Sequence, residues 1–341
     1  MIHLKTSVSS YVLNFSKPAG TSRGIYTTHK VWFVEIFSKE FTNRKGIGEC
    51  APLPDLSCDY VSDYEEILLG FCKDFEDNGK LNFEELLSYP SMLFGLETAL
   101  RHYEQSSFAL WDTPFSRGEI GIPINGLIWM NDIRTMSEQV EKKINQGFKC
   151  IKLKIGALNF EKEIELIRFI RNKYSVEELT LRVDANGAFT LKDSAEKLNT
   201  LYELGIHSIE QPIVAGKWKE MQELIANSPL PVALDEELIG HNKYSEKSEL
   251  LYTIKPKYIV LKPSLHGGIK GCSEWIEIAK KMDIGWWLTS ALESNIGLNS
   301  IAQWCATLNN PLHQGLGTGL LYTNNIDLPL KIIGEELWYK V

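Results

Sequence analysis

The sequence predicts an α/β protein: a (β/α) barrel carrying a smaller α+β capping domain assembled from the N-terminal part and the C-terminal tail. Three observations predict it. After about residue 122, short β-branched runs alternate with amphipathic stretches, as βα units do. Before that point strands come first and helices follow, the order of an α+β unit. Charged residues also recur at the ends of the later strand-like runs at intervals of about one βα unit.

The capping domain is expected over residues 1–117. Strand-like runs cover 5–15, 30–37 and 46–51, and helical patterns cover 60–75 and 91–105. The second helix has Ser91 placed as an N-cap after Pro90, with Leu93, Leu96, Leu100 and Tyr103 as its apolar stripe. The barrel is expected over 118–320, with strand-like runs near 124–130, 149–155, 179–185, 207–210, 231–236, 258–262, 284–289 and 312–316. Amphipathic stretches such as 160–174, 191–204 and 269–282 lie between them. Eight runs at roughly 30 residues per unit fit a slightly compact barrel. A doubly wound sheet lacks support, because no Gly-x-Gly-x-x-Gly follows an early strand. The tail, 321–341, has apolar pieces at 328–333 and 337–339 expected to pack back onto the first domain.

Bulk composition limits the function classes. The 341 residues are 44% hydrophobic and 23% charged, ordinary for a chain with a substantial core. A formal net charge of −8 argues against nucleic acid as a partner. An anionic small molecule stays compatible, since a local lysine cluster or a metal reverses the field inside a pocket. The six cysteines form no Cys-x-x-Cys pair and read as reduced thiols of a cytoplasmic protein. The N-terminus lacks the apolar run of a signal peptide, and no stretch approaches the roughly 18 apolar residues of a membrane span.

Barrel strands are covered on both faces and should be apolar. Here five end in charge: Lys152 and Lys154, Arg182 and Asp184, Glu210, Asp235 with Glu236, and Lys262. The steps Lys154–Asp184, Asp184–Glu210, Glu210–Asp235 and Asp235–Lys262 are 30, 26, 25 and 27 residues. These groups should therefore stand at equivalent heights and converge where barrel enzymes place their catalytic residues. Strand alternation sends Lys152 and Lys154 inward while Ile151, Leu153 and Ile155 meet the helices. It likewise puts Arg182, Asp184 and Asn186 on one face.

Asp184, Glu210 and Asp235 form an oxygen-rich set. With no Cys or His among them, they favour Mg²⁺, with Mn²⁺ as a substitute. The alternative is that each is salt-bridged to a barrel lysine or arginine. Lys154 is the expected base, because neighbouring positive charge and partial burial disfavour its ammonium form. Lys262 comes from the opposite side of the barrel.

Weaker signals surround this set. Gly267-Gly268 would let a substrate carboxylate reach backbone N–H groups, the alternative being plain turn chemistry. Ser290, Glu293, Ser294 and Asn295 close strand seven as polar substrate contacts, while Gly315-x-Gly317-x-Gly319 reads as an exit loop, with a cradle for an anionic group as the alternative. The seven histidines show no cluster and read as surface or satisfied core residues.

The motifs Lys152-x-Lys154, Arg182-x-Asp184-Ala185-Asn186, Glu210-Gln211-Pro212, Asp235-Glu236 and Leu261-Lys262-Pro263-Ser264 resemble the muconate-lactonizing branch of the enolase superfamily. Within that branch the chain is most similar to the o-succinylbenzoate synthases, the dehydratases of menaquinone synthesis. The segments Gly46-Ile47-Gly48-Glu49-Cys50-Ala51-Pro52-Leu53-Pro54 and Ser290-Ala291-Leu292-Glu293-Ser294 carry this part of the likeness. The resemblance covers nearly the whole chain and implies a modified (β/α)7β TIM barrel. It also implies a metal held by Asp184, Glu210 and Asp235. Lys154 and Lys262 would be the catalytic pair, and Lys152, Arg182, Asn186, Gly267, Ser290 and Glu293 would contact the substrate.

The implied reaction is a syn-dehydration of a succinyl-bearing hydroxycyclohexadiene carboxylate through an ene-diolate. Lys154 would move the proton, Lys262 would face the ring, and loops near 21–28 and 48–57 would close over the substrate. Asp55 departs from the family, where glycine is common. Gly315-Leu316-Gly317-Thr318-Gly319 stands where related dipeptide epimerases carry Asp-x-Asp. The competing readings are a racemase, epimerase or cycloisomerase using the same lysines, and a barrel that binds a ligand without catalysis. The expected partner is a small-molecule carboxylate, not nucleic acid or membrane, with the chain acting alone or as a homo-oligomer.

Overall fold

The computed structural model describes residues 3–21, 24–41, 44–128, 132–157 and 159–341. The end of the first expected barrel strand at 129–130 and residues 22–23 of the expected loop at 21–28 lie outside them. The chain opens with a three-stranded antiparallel sheet of β1 (Leu4–Thr21), β2 (Gly24–Ser38) and β3 (Lys45–Cys50). Helices α1 (Tyr64–Asn78), α2 (Phe83–Leu86) and α3 (Pro90–Gln105) follow.

The stripe on α3 buries Leu93, Leu96 and Tyr103 against Val34, Ile36 and Cys50 of the sheet. Contact is close because Gly46 and Gly48 carry no Cβ: one there would strike the backbone carbonyls of Ala99 and Gly95. Ser91 is not the N-cap. Pro90, its φ preset and its missing N–H irrelevant there, takes the first helical position after Tyr89. Ser91 is buried in the first turn, and both its N–H and its hydroxyl donate to Asp59, at 2.8 and 2.6 Å.

The barrel then alternates as expected. Its elements are β4 (Ile122–Pro123), β5 (Gly126–Ile128), α4 (Ile133–Asn145), β6 (Cys150–Lys154), α5 (Phe160–Lys173), β7 (Thr180–Asp184), α6 (Ser194–Glu203) and β8 (Ser208–Glu210). They continue with α7 (Trp218–Asn227), β9 (Val232–Leu234), α8 (Tyr244–Ile254), β10 (Tyr258–Leu261), α9 (Gly268–Lys281), β11 (Gly285–Leu288) and α10 (Asn295–Ala306). Strands β5 to β11 form one parallel sheet in sequence order. The eighth run is too short for a regular strand, yet it closes the ring through single parallel bridges, Thr289 with Gly315 and Ile124 with Gln314. Gly315 permits this, since a Cβ would strike the Thr289 side chain.

Alternation sorts the side chains as the sequence implied. Ile151, Leu153, Leu181, Val183, Ile259 and Leu261 join the core between sheet and helices. Ala233, Val260 and Trp287 pack together apart from it as a small cluster on the opposite face of their strands.

The tail divides. Tyr322 bridges Phe15 of β1, and the Thr323 N–H donates to the Asn14 carbonyl at 2.9 Å, so this stretch packs on the capping sheet. The last strands do not. β12 (Leu330–Ile333) pairs with β13 (Glu336–Tyr339), and β13 pairs with β4 at the entry to the barrel. Leu337 and Tyr339 are buried in the barrel core there.

All six cysteines are free. Among the described residues no helix is long and apolar enough to cross a membrane.

Candidate active site

A cavity opens at the C-terminal ends of the barrel strands. Lys152, Lys154, Asp184, Asn186, Glu236 and Lys262 line it, and the capping domain contributes Tyr26, Leu53 and Leu56. The charged residues meet because parallel register sets them level: Lys152 pairs with Arg182, Lys154 with Asp184, and Asp184 with Glu210.

The polar contacts form one network. The Lys152 ammonium donates to both Glu210 oxygens, at 2.7 and 2.6 Å, and lies 2.8 Å from Asp184. The Lys154 ammonium donates to Asp184 Oδ2 at 2.7 Å and to Asn186 Oδ1 at 2.6 Å. Asn186 passes the chain on, its Nδ2 donating to Glu236 Oε1 at 2.8 Å. Across the barrel, four strands away in the sheet, Lys262 donates to Asp235 Oδ1 at 2.7 Å. Cations and carboxylates thus alternate around the floor.

Burial and charge pull these groups in opposite directions. Burial alone would raise Asp184 and Asp235, but the ammonium groups of Lys152 and Lys154 for the first, and of Lys262 for the second, hold both below the usual carboxylate range. Glu210 is pushed up to about 8 by burial and by the neighbouring Asp184, which Lys152 only partly offsets. Burial works against the charge of Lys262, yet Asp235, Glu236 and Glu210 outweigh it and raise its pKa. Lys262 is accordingly held as a cation.

Supporting contacts fix the strand ends. Gln211 Oε1 accepts the N–H groups of Asp235 and Glu237, each at 3.2 Å. His266 Nδ1 accepts the Lys262 N–H at 2.9 Å.

Glu210 and Asp235 meet the lysines from beside the cavity wall, and Ser290 stands in the wall itself. Three expected substrate contacts lie elsewhere. Arg182 sits lower in the barrel, 4.1 Å over the Trp287 ring and donating to the His313 carbonyl, two residues before the height of Asp184. Glu293 is fully buried and accepts from Ser264, Ser290 and the Ala291 N–H, so it holds a wall residue from behind. Gly267 caps α9 in a left-handed turn, and the adjoining helix N-terminus is already taken. Glu97 of α3 accepts from the Ile269 and Lys270 N–H groups at 2.7 and 3.2 Å.

Asn125, Trp287, Thr289 and Thr318 line the cavity and were not singled out by the sequence. Asn125 carried a signal of the same kind as the charged strand ends: a polar residue in an otherwise apolar strand, between buried Ile124 and Gly126.

The donor set suits a hard cation, because the oxygens of Asp184 and Glu210 already converge on the positive charge of Lys152. Among the described residues no three His, Cys, Asp or Glu side chains are gathered into a ready coordination shell, each carboxylate being turned to a lysine.

This arrangement, a parallel barrel under an α+β cap with lysines and acids on successive strands, defines a class. Residues 135–333 match the model of the family described as enolase C-terminal domain-like, and the chain belongs to that family. It is 41% identical to an o-succinylbenzoate synthase of Desulfotalea psychrophila, over 95% of this chain and 96% of that one. The crystal structure of MenC from Desulfotalea psychrophila LSv54 superposes with a TM-score of 0.85 at 37% identity, covering 98% of this chain and 99% of that one. A dipeptide epimerase from Enterococcus faecalis, complexed with Mg and a dipeptide, shares the fold with a TM-score of 0.83 at 17% identity, over 100% and 98% of the two chains.

Proposed function

We propose that the chain is a divalent-metal-dependent lyase that dehydrates a succinyl-bearing hydroxycyclohexadiene carboxylate to o-succinylbenzoate, a step of menaquinone synthesis. The observation that carries this is the pair of lysines, Lys154 and Lys262, entering one cavity from opposite sides of the barrel beside three buried acids. The likeness to o-succinylbenzoate synthases over nearly the full length selects the reaction among those such a site performs.

Asp184, Glu210 and Asp235 are the residues that would hold Mg²⁺, which supplies charge stabilisation at the substrate carboxylate. Lys154 removes the proton α to that carboxylate through its Nζ. Asp184 and Asn186 aim that nitrogen into the cavity. The same nitrogen returns the proton to the departing hydroxide, which leaves as water. Proton and hydroxide depart from one face, and the ring becomes aromatic. Lys262, kept cationic by Asp235, lies against the other face and stabilises the developing negative charge. Leu53, Leu56 and Tyr26 cover the cavity and exclude water.

An epimerase acting on a dipeptide needs an anion for the substrate ammonium. The eighth run presents Gly315, Gly317 and Thr318 to the cavity instead. The test is spectrophotometric turnover of the cyclohexadiene precursor with Mg²⁺, then with chelator. Metal-dependent formation of the aromatic product supports the reading. Racemisation of N-acylamino acids without dehydration would replace it.

A further inference from the structure

The cavity wall is made of two loops from different domains. Residues 51–57 leave the capping strand β3 and contribute Leu53 and Leu56, while residues 289–294 leave barrel strand β11 and contribute Ser290, Ala291 and Leu292. Leu53, Ala291 and Leu265 pack into one small apolar cluster with Leu56 and Leu292 at its margin. With Ile239 these six side chains make a thin seam, and apolar contact has no direction with which to hold two loops in register.

His29 of β2 stands behind that seam. It is 3% exposed, and it faces a backbone carbonyl from each loop: Nδ1 lies 2.9 Å from the Leu292 oxygen and Nε2 lies 3.2 Å from the Pro52 oxygen. Tyr322, from the tail, donates its hydroxyl to the same Leu292 oxygen at 2.5 Å. Leu292 itself has a φ of 66°, a left-handed conformation that a leucine adopts only when its surroundings impose it. Its carbonyl is therefore aimed at His29 and Tyr322 at a conformational cost. On its far side the barrel loop is anchored separately: Glu49 accepts the Ser294 N–H and hydroxyl and the Gly297 N–H, at 2.8, 2.6 and 2.8 Å.

We propose that His29 is a positioning residue for the reaction. It stands between the capping loop at Pro52 and the strand-seven loop at Leu292, its neutral ring donating one N–H to one of the two carbonyls and packing against the other loop, and so holds the apolar wall against the part of the substrate remote from the two lysines. His29 touches none of the reacting groups, so its removal weakens substrate binding and spares the chemical step. This rests on the cavity being the active site, as proposed above.

Three variants test it in the Mg²⁺-loaded enzyme. His29→Phe keeps the ring volume and loses the N–H donor. His29→Gln keeps an N–H donor on a side chain of similar reach, and His29→Asn is shorter. The expected result is a KM raised at least about tenfold in H29F and H29N with kcat within about threefold of wild type, and recovery of most of that loss in H29Q. Hydrogen exchange should quicken in segments 51–57 and 290–293 of H29F and stay unchanged at 295–299, which Glu49 anchors. Unchanged KM, a fall in kcat at constant KM, or unaltered exchange in both loops would each overturn the proposal. Should H29F not fold, H29N carries the same readings. If the wild type fails to turn over the precursor, the reaction named above fails, while the exchange measurement still decides the role of His29.

Discussion

At the scale of the residue, Lys154 and Lys262 differ in what surrounds them. Lys154 is bracketed by one carboxylate and one amide oxygen, whereas Lys262 faces Asp235 directly and is held cationic by three acids. This asymmetry suits one proton carrier and one electrostatic partner. Lys154→Ala should lower kcat by about 10³ or more, since it removes the group that both takes and returns the proton. The aromatic product measured in single turnover checks it.

Asn186→Ala should be milder, about tenfold to a hundredfold in kcat, because it releases one of the two contacts that aim Lys154 and removes the donor to the half-buried Glu236. Equal activity of N186A and wild type would show that Asp184 alone positions the lysine. These charged residues were legible in the sequence because a charge inside a barrel strand contradicts the burial of both faces. Arg182 obeyed the same parity but sits one inward position lower, over Trp287, and parity alone does not tell height.

At the scale of the element, the capping unit depends on how closely α3 approaches β3. Gly48 faces the backbone of Gly95 and Ala99 across that contact, so Gly48→Ala forces the helix and strand apart. The expected cost is about 1–3 kcal/mol, as for other overpacked cores, read as a shift of the urea midpoint. The strands and helices of both domains were legible from periodicity. Their ends were less so: Ser91 looks like a cap in sequence, and Asp59, 32 residues earlier, takes the helix start in trans. The last strands were placed on the wrong partner for a related reason. Apolar alternation shows that a strand is buried on one face and not against what.

At the scale of the whole molecule, cap and barrel are joined by carboxylates at helix starts. Glu49 reaches α10 and Glu97 reaches α9. Burial, against the three donors, pushes Glu49 up to about 7, with the nearby Glu293 adding to the rise. An unfolded glutamate releases its proton near 4.5, so between that pH and about 7 the native state binds more protons than the unfolded chain. This group's contribution to stability is thus complete below pH 4.5 and declines as pH rises through 7. Thermal melts of wild type and Glu49→Gln across that window should show a steeper fall in the wild type. Parallel curves would mean that Glu49 enters the fold already ionised.

The sequence by itself determined the barrel, its cap and the identity of the charged strand ends. Periodicity and unit spacing are local consequences of strand alternation and of the length of a βα unit. Only the tertiary structure decided how the carboxylates are paired, which glycine turn was already capped by Glu97, and that His29 stands between two loops from different domains. Those are contacts between segments tens to hundreds of residues apart, and nothing in local spacing encodes which distant backbone carbonyl a buried side chain will meet.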